Sequence, residues 1–328
     1  MGPAPRRGRG QTGSGRGRGR GSPDGGAARA GSGQGRGRAA GGARGAGQGR
    51  QGRAPAHRTG RRPDRPGGGG GQGPGTQGLG GDQVEGRQAV RELLRADRRP
   101  VRSLYMAEGM DAATILDEIE ALAAARRVKI DYVSHRRIDS LARTEAAQGV
   151  VAIARPVEET TLESLCGPSN RGRVPFLLVL DGITDPHNLG ALLRSAECAG
   201  VTGVVLPRHR SAHLSPSAAK AAAGAIEYLP MTLVAGIPAA LVRLSALGVW
   251  TVGLVGEARQ SLYELVLGDQ PVALVLGSEN TGLAALTRKR CDALVSIPQH
   301  GSLSSLNVST AGAIACFDVA RQRSQLIG

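Results

Sequence analysis

Three polar stretches place hydroxyls, amides and charges close together, each just after an apolar run. The first, Asp181-Gly-Ile-Thr-Asp-Pro-His-Asn188, enters a helical pattern that carries Arg194. Leu189, Leu192, Leu193, Ala196 and Ala199 form that helix's apolar stripe. Arg194 lies off the stripe, facing solvent, a partner or a pocket, and Asn188 suits the N-cap. The second stretch, Gly277-Ser-Glu279-Asn-Thr-Gly282-Leu283, spaces two glycines as a phosphate loop does. Leu283 stands where such a loop requires lysine, which argues against a nucleotide triphosphate. The glycines still let a ligand approach the backbone closely, and Glu279 can orient a hydroxyl or hold a basic group. The third runs Ile297-Pro-Gln-His-Gly301-Ser-Leu-Ser-Ser305-Leu306-Asn307-Val-Ser into the last helix. Its hydroxyls and amide exceed what one helix start needs, and beside Ile297 and Leu306 they fit a polar ligand with an apolar part. His187 and His300 lack a carboxylate or cysteine at ligand spacing, so no metal is expected.

These stretches need a scaffold, and the runs before them supply one. PFLLVL and PVALVL are continuously apolar, as strands of a parallel sheet covered on both faces are. Strands are expected at residues 176–180, 203–206, 226–233, 249–254, 272–276 and 293–297, with helices over 188–199, 215–223, 237–247 and 308–323. In such α/β sheets ligands bind beyond the carboxyl ends of the strands, where the three polar stretches fall. The last helix is apolar on two sides. Val308, Ala311, Ala315 and Val319 form one stripe and Ile314 and Phe317 another, which predicts a homodimer.

Ahead of this domain, residues 83–156 read as a smaller α/β unit. Val90, Leu93 and Leu94 sit at helical spacing, as do Ile115, Ile119 and Leu122. Strands are expected at 101–107, 128–133 and 149–154, with a short helix around Ser140. The acid-rich stretch 157–173, with its Pro and Gly, reads as a linker to the larger domain at 174–328.

Residues 1–80 contain 30 Gly and 16 Arg, no Lys or Glu, and two acids, Asp24 and Asp64. That +14 is nearly all of the chain's net +15, so the basic character belongs to a tail. Residues 1–82 bury too little apolar surface to fold and are expected to be disordered. An arginine-rich arm attracts phosphates without reading sequence, and no aromatic precedes Tyr105 to stack on bases. No apolar run is long enough for a membrane span, and no secretory signal is expected. Cys166, Cys198, Cys291 and Cys316 stand singly, which suits buried, inert thiols in a reducing cytoplasm.

The segments DPHNLGALLRSAECAG, LVLGSENTGL and IPQHGSLSSLNVSTAGAIACFDVARQR, in that order, resemble the three motifs of the SpoU family of RNA 2′-O-ribose methyltransferases. VEGRQAVRELL and QGVVAIARP are similar to the small RNA-binding domain of the subgroup that methylates a guanosine of 23S ribosomal RNA. The resemblance spans residues 84–325. It implies a trefoil-knotted parallel sheet, S-adenosyl-L-methionine bound around Gly277, Ile297 and Leu306, and an active site near a subunit interface. It also implies catalytic roles for Asn188, Arg194, Glu279, Ser305 and Asn307. Two alternatives stay open: a 2′-O-methyltransferase for transfer RNA or another ribosomal nucleotide, as in antibiotic resistance, and a non-catalytic ribosome-assembly factor.

Overall fold

The small unit begins with a chain that alternates strands and helices. In the computed structural model, which describes residues 78–167, 173–268, 270–303 and 305–325, it comprises β1 (Gln83–Glu85), α1 (Arg87–Ala96), β2 (Val101–Ala107), α2 (Thr114–Ala125), β3 (Ile130–Val133), α3 (His135–Leu141) and β4 (Val150–Ala154). The strands form one sheet in the order β1-β4-β2-β3, with only β2 and β3 parallel. Alternation explains the packing. Leu104, Met106, Val150 and Ala152 point to one face, where Val90, Leu93 and Leu94 of α1 and Ile119 of α2 bury them. The strand β1, too short to show a pattern, has no counterpart among the expected elements.

The Gly/Arg tail expected over 1–82 lies outside the described residues up to residue 77. Its last residues are packed: Leu79 is buried in the larger core, and Gly81 N donates to Leu214 O at 2.7 Å. The stretch expected to be a linker, 157–173, is likewise attached where it is described. Val157 N donates to Gly80 O at 2.9 Å, and Glu159 pairs with Met231. Thr161 then caps α4 (Leu162–Cys166), whose Leu162 and Leu165 are buried. Two leucines three apart behind a capping threonine make one amphipathic turn, a signal the surrounding acids obscure.

The larger unit contains β5 (Phe176–Asp181), α5 (Pro186–Cys198), β6 (Gly203–Pro207), α6 (Pro216–Ala221), β7 (Met231–Val234), α7 (Ile237–Ala246), β8 (Trp250–Leu254), β9 (Gln260–Ser261), β10 (Val272–Gly277), α8 (Ala285–Arg290), β11 (Ala293–Ser296) and α9 (Val308–Gln325). Its seven strands run in the order β7-β6-β5-β10-β8-β11-β9, and every described pairing is parallel. Leu178 and Leu180 belong to one core with α5, α6 and α9, and Leu177 and Val179 to the other with α4 and α7. Both faces are therefore covered, as the continuous apolar runs require.

Most expected elements are present within a few residues. The strand expected at 226–233 is instead a short 3₁₀ turn at 225–227 followed by β7. Pro230 lies between them, and the buried Glu227 is held by Arg99 rather than by a strand partner. The short β9 and α8 were not anticipated. Cys316 is buried and Cys166 and Cys291 are half-buried, but Cys198 is exposed, contrary to the expectation of four buried thiols. Burial pushes the Cys316 thiol up to about 12.

The small and large units meet through a buried ion pair. Arg99 Nε and Nη2 donate to the two carboxylate oxygens of Glu227 at 2.8 and 2.5 Å, and Nη1 donates to Gly81 O at 2.6 Å. Tyr228 Oη reaches Glu92 at 2.8 Å beside it. Among the described residues no helix is long and apolar enough to cross a membrane.

Candidate active site

The sheet order creates the site. From β5 the chain proceeds outward through β6 and β7, whereas from β10 the neighbouring strands are β8, β11 and β9. Loops leaving β5 and β10 therefore diverge at a switch point, where a crevice opens beyond the carboxyl ends. Asp181 and Gly277, the last residues of these strands, are register partners, so the first and second polar stretches start side by side. Asp181 Oδ2 then accepts from Thr287 Oγ1 at 2.6 Å and from Ala284 N at 3.3 Å, which fastens the far end of the second loop.

That second loop is a tight hairpin. Ser278 and Gly282 exchange backbone hydrogen bonds of 3.0 Å, and Gly282 has φ 65°, a conformation that favours glycine. A side chain at Gly277 would place its Cβ 2.0 Å from the Gly282 carbonyl carbon, so only glycine fits. On the first loop, Asp185 and not Asn188 is the N-cap of α5: its carboxylate accepts from His187 N at 3.0 Å and Asn188 N at 3.4 Å. The Asp-Pro pair starts the helix two residues earlier than expected. This releases the Asn188 side chain for another use.

Asn188 Nδ2 donates to Glu279 Oε1 at 2.9 Å, and its Oδ1 accepts from Asn307 Nδ2 at 3.1 Å. Asn307 Oδ1 in turn accepts from Ser309 N at 2.8 Å and Thr310 N at 3.3 Å, capping α9. One residue from each polar stretch thus joins a single chain of amides ending on a carboxylate. Among the described residues, the second carboxylate oxygen of Glu279 and the Ser305 hydroxyl have no partner.

Beside this chain lies a cleft of about 410 Å³, within the range of small-molecule sites. Gly277, Glu279, Ile297, Ser305, Leu306 and Asn307 all line it. Its remaining wall includes Leu254 at the end of β8 and Val255 and Gly256 just beyond it, which sequence reasoning missed. They carry no ionisable or hydrogen-bonding side chain; the only available signal was their place at the end of a buried strand. Arg194 is not part of this cluster. It is exposed on α5, about 9 Å along the helix and about 120° around it from Asn188. Among the described residues it has neither a hydrogen bond nor an ion pair. His187 is exposed, and among the described residues no group of acids, histidines and cysteines is placed to hold a metal.

A parallel sheet with a polar cleft at its switch point, together with a small mixed sheet, defines a two-part α/β protein, and comparison with known proteins gives its class. The SpoU rRNA Methylase family model matches residues 175–317, and a second, RNA 2′-O ribose methyltransferase substrate binding, matches 83–160. The chain is 42% identical over 241 residues to the 23S rRNA (guanosine-2′-O-)-methyltransferase RlmB of Pseudomonas aeruginosa, covering 73% of this chain and 95% of that protein. It is 39% identical over 239 residues to the protein of that name from Escherichia coli, covering 72% and 96%. Among solved structures, the SpoU methyltransferase AviRb from Streptomyces viridochromogenes has the same fold, with a TM-score of 0.60 at 24% identity over 74% of this chain and 90% of that one. A putative RNA methyltransferase of the TrmH family from Porphyromonas gingivalis gives a TM-score of 0.60 at 27% identity, over 73% and 89%. This chain belongs to the SpoU family.

Proposed function

We propose that the protein transfers a methyl group from S-adenosylmethionine to a ribose 2′-hydroxyl of RNA, the target being a guanosine of 23S ribosomal RNA. Support comes from relatives of that name that align with both the small unit and the sheet domain. The observation that carries the reading is the cleft at the switch point with the Asn307–Asn188–Glu279 chain along its rim.

The cleft suits the methyl donor. Its floor is backbone at Gly277, where a Cβ would collide, and its walls pair apolar Leu254, Ile297 and Leu306 with hydroxyl and amide groups. Gly277, Ile297 and Leu306 would hold the donor by backbone contacts. When bound, S-adenosylmethionine supplies a methyl group already activated by its positive sulfur. The chain's own residues then have two tasks. They must hold the hydroxyl in line with that methyl, where proximity and orientation provide much of the acceleration, and they must assist loss of its proton.

Asn188, fixed from both sides, holds Glu279 in one orientation, and the free oxygen of that carboxylate accepts the ribose hydroxyl. Ser305, also unpartnered, gives a second contact. Arg194 does not act as a simple base, since guanidinium stays protonated; it fixes a phosphate and stabilises developing alkoxide charge. Its distance from Asn188 is accounted for if a second protomer completes the site. The exposed Phe317 and half-buried Ile314 on α9 provide an apolar face for that homodimer.

Labelled methyl transfer to unmodified 23S RNA and to transfer RNA, followed by nucleoside analysis, tests the reading. The expected product is 2′-O-methylguanosine from the 23S sample. Label in transfer RNA alone would assign a sibling activity, and RNA binding without transfer would make the chain an assembly factor.

A further inference from the structure

The loop between β6 and α6 presents two basic side chains, His209 and Arg210, that have no partner among the described residues. Arg208 N donates to Val234 O at 2.8 Å, and its guanidinium pairs with Glu159 at 2.9 Å. On the other side, Ala212 N and Ser211 Oγ donate to Ile183 O at 2.7 and 3.2 Å. The loop is therefore fastened at both ends. Between the fastenings His209 and Arg210 are exposed, and among the described residues neither has a hydrogen bond or an ion pair. Arg210 has φ 58°, a left-handed conformation that costs a non-glycine residue. Such strain persists where the surroundings impose it, and it clusters at functional positions.

Both side chains line a second cleft, of about 870 Å³, beyond the carboxyl ends of β5, β6, β7 and β10. Thr184, Asn280 and Thr281 add neutral hydrogen-bonding groups to it. Asp181 is the single carboxylate among its lining residues, and one of its oxygens is already committed to Thr287 and the Ala284 amide. Ser278 and Gly282 line this cleft and also the smaller one, so the hairpin at 278–282 is the partition between them. A ligand here lies immediately next to Glu279 without entering the methyl-donor site.

We infer that this second cleft holds the RNA backbone adjoining the nucleotide to be methylated, with a phosphodiester on Arg210 and His209 and sugar or base groups on Thr184, Asn280 and Thr281. The inference rests on the reading that RNA is the substrate. A cationic tip with neutral donors around it suits a phosphodiester, because guanidinium binds phosphate in a forked geometry and threonine and asparagine serve ribose hydroxyls and base edges. The strained, doubly fastened loop holds Arg210 and His209 in place before RNA arrives, which reduces the ordering cost of binding.

Steady-state methylation of unmodified 23S RNA by the full chain and by Arg210→Ala, His209→Ala and the double variant tests this. Arg210→Ala should raise KM for RNA about tenfold, with a smaller effect on kcat and the affinity for S-adenosylmethionine unchanged. The slope of log RNA affinity against log salt should fall by about one. Arg210→Lys should recover part of the KM loss, which a folding defect would not allow. An unchanged KM and salt slope in the double variant would overturn the inference. Weakened S-adenosylmethionine binding with RNA binding intact would also overturn it, by assigning the cleft to the methyl donor. If the wild-type protein transfers no methyl group at all, the reading of function fails separately, and the salt slope of RNA binding still decides the role of this cleft.

Discussion

At the residue scale, Asn188 joins Glu279 to Asn307, the only such link among the described residues. Asn188→Ala removes both hydrogen bonds and leaves the donor cleft's backbone in place. Turnover should fall about a hundredfold, the usual cost of losing a positioned polar group, while calorimetry finds nearly unchanged S-adenosylmethionine affinity. Arg194→Ala should abolish turnover with equally little effect on that affinity, and Arg194→Lys should not restore it, because an ammonium lacks the planar fork. Substantial turnover in either Arg194 variant would remove the arginine from the mechanism. The sequence placed Asn188, Glu279 and Asn307 in three separate polar stretches that only the family resemblance joined, and the fold brings the three side chains into one hydrogen-bonded chain. The sequence did not show that Asp185 takes the capping role and so frees Asn188, nor that Arg194 stands apart. Both depend on where the helix starts, and one Asp-Pro pair moves that start.

At the scale of elements, two glycines set how closely the site's supports approach. A Cβ at Gly312 of α9 would stand 2.3 Å from Leu192 Cδ2 of α5. Gly312→Ala should therefore cost about 1–3 kcal/mol in urea unfolding, since the buried Leu192 side chain must shift to make room. Gly277→Ala meets backbone rather than a side-chain tip, and should eliminate S-adenosylmethionine binding in equilibrium dialysis. Retained binding would show that the hairpin at 278–282 can move aside. Most of the sheet was visible beforehand, because runs such as FLLVL and VALVL are long and uniform. The elements that escaped were β1, β9, α4 and α8, each six residues or fewer. Pairing and burial decide such short segments, and neither leaves a periodic trace. The same limit explains why residues 157–166 read as linker.

At the scale of the whole molecule, the small unit is held against the sheet domain by the Arg99–Glu227 pair, and the tail adds charge. Arg99→Met leaves a buried carboxylate unpaired and should lower stability by about 3–5 kcal/mol, read as a shift in the denaturant midpoint. Deletion of the tail should stop at residue 77, because Leu79 and Gly81 are anchored in the fold. That truncation should weaken RNA binding most at low salt and flatten its salt dependence without changing which nucleotide is modified. The measurement that most directly tests the central claim is the alkaline cleavage ladder of unmodified 23S RNA after incubation with the protein and S-adenosylmethionine. A methylated 2′-oxygen cannot attack the adjacent phosphodiester, so one guanosine should become alkali-resistant with the wild-type protein and none with Arg194→Ala. A ladder with no gap, or methyl label on a base with every position still cleaved, would contradict the account.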